Sequence, residues 1–330
     1  MTPQRPVSST SRVKTERLPG LFPTRRTPAL AHPFRSRRPS SELRRPRRLH
    51  LFAPVVGVWT WRSAVATGCI CLLAGCASTR LTIPRGPTVP LADYQPVFEE
   101  ATDSCRRVRT LQAALAVNAR SGEKRLRGDV LAALARPASL RLVGVASFGA
   151  PGFVLVAEPA STTLVLPRDR RVVTGATAGE LLEALAGLSL DAEEFRSVVT
   201  GCLVPDPRAI EARIHENGWI AVRMEGEAVA YVHTLDDAPV VVAGTRPGMT
   251  VWYSDHVQGL PRRVDVRAVD PDGLVTELRA TLSQVSINIE LEPEVFVAQI
   301  REDYVPMTLE QFRGSAGPLE TRSEAPSQPE

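Results

Sequence analysis

From Leu111 onward, apolar residues recur at every second position, and that period governs what this chain can become. Successive side chains on a strand point to opposite faces, so such a row makes one dry face and one wet face. Leu111, Ala113, Leu115 and Val117 form the first row. Leu126, Gly128, Val130 and Ala132 form the second, and Leu140, Leu142 and Gly144 the third. Phe153, Leu155 and Ala157 follow, then Thr163 to Leu166 and Arg171 to Thr174. The gaps are short and hold Gly, Pro and Asp, which predicts an antiparallel meander. Further candidate strands are Trp219–Met224, Ala228–Thr234, Val240–Thr245, Thr250–Ser254, Val264–Ala268 and Val275–Leu291. In the last, the apolar phase of Thr276, Leu278, Ala280 and Leu282 gives way to Val285, Ile287, Ile289 and Leu291. A one-residue slip turns every side chain over, so a bulge is expected near Ser283–Gln284.

Two helices interrupt the strands. Thr177 and Glu180 have the spacing of a capping box, Leu181, Leu182, Leu185 and Ala186 give an apolar stripe, and Gly187 stops the helix. Asp191 and Glu194 repeat the box ahead of Phe195, Val198 and Val199, and Gly201 and Pro205 end that helix. A third, earlier helix is predicted from Leu91 to about Cys105, with Pro96 in its first turn and Asp93, Glu99 and Glu100 towards its start. About eleven or twelve strands on one sheet must curl or close. The fold class is therefore mainly β (α+β): a curved antiparallel sheet forming an open or half barrel, with helices covering its concave face. That arrangement predicts an apolar hollow lined by Leu140, Leu142, Phe153, Leu155, Leu181, Leu182, Leu185, Phe195 and Val198.

The flanks read differently. Residues 1–62 carry a net charge of +12 against +4 for the whole chain, which leaves −8 for residues 76–330. The basic character thus belongs to a leader rich in Arg, Pro and Ser, and nucleic-acid binding is not implied. Three readings of that leader stay open: an over-long n-region, an extension upstream of the true start near Val55–Val58, or a basic disordered arm. Residues 63–75 are apolar after Arg62 and have the make-up of a secretory signal. Residues 76–90 read as a small-residue, Pro-containing tether, 91–314 as the folded domain, and 315–330 as a disordered tail.

Leu73-Ala74-Gly75-Cys76 resembles the cleavage pattern of bacterial lipoprotein signals. That resemblance makes Cys76 the first residue of the mature chain and the carrier of acyl groups such as palmitate. Ala77-Ser78 resembles the class sent to the outer membrane. Cys105 and Cys202 then remain in an oxidising compartment. A disulfide between them and two free thiols are both open, since separation in sequence cannot decide.

From Leu140 to Gly201 the order of parts resembles the LolA/LolB lipoprotein-sorting superfamily, most of all the outer-membrane receptor LolB. The carrying residues are Leu140 through Gly149, Phe153-Val154-Leu155-Val156, Leu164-Val165-Leu166 with Asp169-Arg170-Arg171, and Thr177 through Leu182. Leu188-Ser189-Leu190, Phe195-Arg196 and Thr200-Gly201 complete it. The resemblance implies an envelope lipoprotein on the periplasmic face of the outer membrane. It would receive acyl chains of lipoproteins or other lipids, with a periplasmic lipoprotein carrier as partner and no cofactor. It also implies that the loop with Phe148 and Gly149 delivers cargo to the bilayer. Turn chemistry around Phe148 agrees with an exposed aromatic, and a Phe148 folded back onto the core is the other reading.

Enzyme readings find little support. His215, His233 and His256 lack metal-ligand spacing, so no metal is expected. Ser254-Asp255-His256 are neighbours on a strand and point to opposite faces, which excludes a triad. Asp236-Asp237 and Glu292/Glu294 read as loop charges. Arg106, Arg107 and Arg109 read as a solvated face; Arg120, Lys124, Arg125 and Arg127 surround the first hairpin, where a solvated face and contact with anionic headgroups are both open. A lipoprotein that binds a protein partner through the same sheet is the alternative to a lipid acceptor.

Overall fold

The computed structural model describes residues 82–145 and 151–315. Contacts divide the chain into residues 1–75 and residues 76–330, and every described residue belongs to the second unit. Cys76, the signal, Phe148, Gly149 and residues 316–330 lie outside the described residues.

Among the described residues all strands join one sheet. In chain order the elements are β1 (Thr88–Pro90), α1 (Gln95–Arg106), β2 (Thr110–Ser121), β3 (Lys124–Ala135), β4 (Ser139–Val145), β5 (Phe153–Glu158), β6 (Ser161–Leu166) and β7 (Arg171–Thr174). Then come α2 (Ala178–Ala186), α3 (Ala192–Thr200), β8 (Ala209–His215), β9 (Ile220–Met224), β10 (Val229–Leu235), β11 (Ala238–Arg246), β12 (Met249–Ser254), β13 (Arg263–Val269) and β14 (Val275–Ile287). β15 (Val305–Met307) and α4 (Leu309–Arg313) close the order. Across the sheet the strands run β1-β8-β9-β10-β11-β12-β13-β14-β2-β3-β4-β5-β6-β7-β15. Two meanders, β2–β7 and β8–β14, are thus sewn together where β14 pairs antiparallel with β2. The sheet is open, mostly β and curved, with its helices on one side.

The twelve strands expected from periodicity are present, and three more join them. β8 was hidden because only Ala212 on it is buried, and β1 and β15 are three residues each. β15 supplies the parallel pairing, to β7. The bulge falls where the phase changes: the β14–β2 register shifts between Ser283 and Ser286, and Gln284 has φ 52°. β14 ends at Ile287 rather than Leu291: Asn288 takes φ 54°, which breaks the extended backbone, while its N–H still donates to Thr110 O at 2.8 Å.

The first helix departs from expectation. Leu91 donates its N–H to Ala212 O at 3.0 Å, so the backbone there still follows the sheet edge. The helix starts at Gln95, Asp93 falls outside it, and no acid occupies its first turn. The other two helices begin and end as the capping signals require. Both boxes are closed in both directions, and Gly187 (φ 71°) and Gly201 (φ 92°) take the left-handed conformation.

One apolar cluster fills the concave side, joining strands of both meanders to Phe98 and Ala101 of α1, Leu181 and Leu182 of α2, and Val198 and Val199 of α3. Close packing explains two strand glycines. A Cβ at Gly144 would stand 2.4 Å from the Phe153 ring, and one at Gly244 would stand 2.4 Å from Leu203 Cδ2. On the opposite face, residues 288–304 cross the back of the first meander. Phe296 packs on Ala133 and Val156. Arg141 Nη1 donates to Val295 O at 3.0 Å and Val297 O at 3.3 Å. Burial lowers the pKa of that guanidinium. Among the described residues no helix is long and apolar enough to cross a membrane.

Candidate apolar site under the helical cover

The nine residues expected to line a hollow do come together on the concave side. Leu140, Leu142, Phe153, Leu155, Leu181, Leu182 and Val198 belong to the buried cluster, with Leu185 and Phe195 half-buried against it. The innermost of them face no open space. Leu140, Leu155 and Leu181 each retain 0% of their accessible surface. A side chain lining a void wide enough for an acyl chain would keep some, because such a void admits a water-sized sphere. In this conformation the apolar stripes of α2 and α3 interdigitate with the inward strand residues at this place.

Open space lies at the rim instead. A hollow of about 720 Å³ sits between the C-terminal half of α2, the tip of the β2–β3 hairpin, the start of β14, and α4. Its apolar wall is Ala119, Leu126, Ala184, Leu185, Leu274 and Phe312. Its charged residues are Glu123, Arg125, Glu183, Asp270 and Arg313. The volume is in the range of small-molecule sites, roughly 300–1,000 Å³. Of the expected lining only Leu185 borders this hollow. Phe312, buried to 3%, was missed, although Thr308 and Gln311 make a third capping box that announces its helix. A second hollow, of about 660 Å³, lies at the other end of the cover, between the N-termini of α2 and α3 and the β5–β6 turn.

The two covering helices are fastened differently. α3 has six buried residues, against three for α2. Glu194 of α3 accepts from Arg246 of β11 at 2.7 Å, with both side chains largely shielded. Buried Arg196 reaches Glu193 at 3.4 Å, and burial lowers its pKa. Just past α3, Cys202 is joined to Cys105 of α1, across 97 residues of sequence. In the chain-entropy account, closing a loop of about 100 residues contributes about 4.7 kcal/mol.

α2 has lighter fastenings. Its stop residue Gly187 rests on a hydroxyl pair across the seam of the two meanders, where Thr276 Oγ1 donates to Ser121 Oγ at 2.8 Å. Its Glu183 meets Arg313 of α4 at 3.3 Å, with both side chains near half exposure. Pairs this wet contribute about 0–1 kcal/mol. At its N-terminus, hydrogen bonds from Thr177 hold the Glu180 carboxyl below the usual carboxylate range.

The remaining sequence candidates separate. Asp255 faces Arg263 at 3.5 Å while His256 Nε2 lies 3.2 Å from Val241 O, so the pair serves different partners and Ser254 gains no base. With a carbonyl as its partner, Nε2 is the donor, and burial lowers the pKa of this histidine. Asp236 and Asp237, at φ 50° and 63°, form the tight β10–β11 turn. Arg107 pairs with Asp103. Arg120 Nε donates to Gly122 O at 3.3 Å, and Arg125 borders the rim hollow. Among the described residues no three His, Cys, Asp or Glu side chains are grouped to hold a metal ion.

Solved structures align with this chain at low identity, among them proteins of the LolA superfamily. A member from Nitrosomonas europaea aligns over 63% of this chain and 99% of its own, with 11% identity and a TM-score of 0.42. A candidate outer-membrane lipoprotein-sorting domain from Vibrio parahaemolyticus aligns over 62% and 97%, with 10% identity and a TM-score of 0.38. The lipoprotein LppX of Mycobacterium tuberculosis aligns over 61% and 100%, with 12% identity and a TM-score of 0.27. No protein-family model matches the sequence, and no curated protein does.

Proposed function

We infer that this protein is a lipid-anchored envelope protein that takes up the acyl chains of lipoproteins or other lipids, without a chemical step. The observation that supports the reading is the rim hollow. It opens beside an apolar concave core whose cover is lightly held on that side. Uptake would exchange packing of α2 against the sheet for packing of an acyl chain in the same place. Each buried CH₂ returns about 0.8 kcal/mol. Cys76 would carry the anchor, Phe148 and Gly149 would face the bilayer, and a periplasmic carrier would deliver cargo at the outer membrane. Substituting Phe148→Glu should then leave folding intact and slow transfer to liposomes.

The filled core favours a second reading, in which the sheet binds a protein partner and holds no lipid. One experiment separates the two: preparation of the Cys76→Ala form without detergent, followed by mass analysis of extracted small molecules. Co-purified acyl species at near-stoichiometric yield support the lipid acceptor. Their absence, together with failure to take up added fatty acid, supports the protein-binding reading.

A further inference from the structure

After crossing the back of the first meander, the chain pairs as β15 with the outer side of β7 and returns on the concave side. The rear of this strap is firmly held, by Phe296 in its apolar cluster and by the two carbonyl bonds from Arg141. Its front is not. β15 has three residues, and the middle one, Pro306, has no N–H to donate to β7. α4 has five residues. Yet α4 places Phe312 in the concave cluster and, with Arg313, on the wall of the rim hollow. Met307 and Leu309 pack beside it. The same short helix holds α2 through Arg313 and Glu183.

We propose that β15 and α4 form an internal plug: Phe312 stands in the mouth of the apolar core, and its withdrawal admits the ligand and frees α2. This rests on the apolar-ligand reading and adds the element that gates it. A plug suits this segment for three reasons. It is short, so its own backbone bonds are few. Its capping box, Thr308 with Gln311, satisfies the helix start from within the segment, so the turn needs no outside partner to cap it. The rear anchor keeps it tethered while the front is out, so the exchange is reversible. An aromatic ring is also an apolar occupant, so an incoming acyl chain replaces like with like.

The test uses the purified protein and N-phenyl-1-naphthylamine, a dye that fluoresces in apolar surroundings. Phe312→Ala should raise apparent affinity about tenfold, the change expected if the open fraction rises from about a tenth to nearly all. Conversely, Glu183→Cys with Arg313→Cys, bridged by a short bismaleimide, should take up no dye, while the same pair left unbridged should bind at least as well as the parent. The native cystine does not react with maleimide, and Cys69, Cys71 and Cys76 are replaced by Ala in this background, so the bridge is specific. Should Phe312→Ala fail to fold, as judged by circular dichroism, the bridged pair still decides. Parent-like uptake by the bridged protein, or unchanged affinity in a folded Phe312→Ala protein, overturns the plug and leaves the ligand reading standing. Binding by no form at all overturns both.

Discussion

α2 and α3 are nearly the same object in local terms. Each has nine residues, a closed capping box at its start and a left-handed glycine at its end. Their tertiary fastenings differ: α3 is flanked by a cystine and carries a shielded ion pair, whereas α2 rests on a hydroxyl pair and a half-exposed ion pair. Local signals therefore explain why both helices exist, and non-local contacts make their attachment to the sheet unequal. A cover with one fixed leaf and one loose leaf can open without unfolding, because opening energies within one molecule range from near zero to the global value.

Removing the cystine should erase that difference most. The Cys105→Ser, Cys202→Ser protein is expected to lose about 2–5 kcal/mol of stability. Thermal melting reads the loss, and amide exchange in α3 should rise towards that of α2. A melting temperature within a degree of the parent would mean that the bond does not fasten the cover.

Gly187→Ala acts on the other leaf. It forces a left-handed residue with a side chain and places a Cβ 2.7 Å from Thr276 Oγ1 and 2.9 Å from Ser121 Oγ. The backbone strain alone is of order 1–3 kcal/mol. Exchange should speed up over residues 178–187 and stay unchanged over 192–200. Equal acceleration in both helices would deny that α2 moves independently.

Thr177→Ala and Asp191→Ala remove equivalent caps, each worth about 1 kcal/mol. The first should show as faster exchange in α2. The second should be muted, because the cystine and Arg246 hold α3 regardless. Identical responses would show that the caps, not the fastenings, set mobility.

Acid provides the gentlest probe. The Glu180 pKa is lowered in the folded protein from an ordinary 4.5. Its contribution is therefore complete above that ordinary value and is lost as pH falls through the lowered one. Protection of α2 amides should decline over that window, and Glu180→Gln should flatten the decline. An unaltered profile in the variant would assign the acid response to other groups.

Much of this architecture was legible in the sequence wherever one face of an element is buried. The Leu111–Val117 row and the phase change at Ser283 are readable because a strand writes its burial every second residue. The two capping boxes are readable because they are local. β8 was not readable, since an edge-proximal strand with Ala212 as its single buried residue leaves no alternation. Nor was the filled core: Leu140, Leu155 and Leu181 look the same in sequence whether they face a void or one another. Phe312 was overlooked for a related reason. Its importance comes from where β15 delivers it, which depends on pairing with β7, more than 130 residues earlier in the chain.

The most direct test of a loose leaf over an apolar core is amide exchange, read by mass spectrometry, over residues 178–186 and 192–200 with and without saturating palmitate. A ligand-dependent change is expected in α2 and in residues 305–313, with α3 unmoved. No change in either helix, or the same change in both, would contradict it.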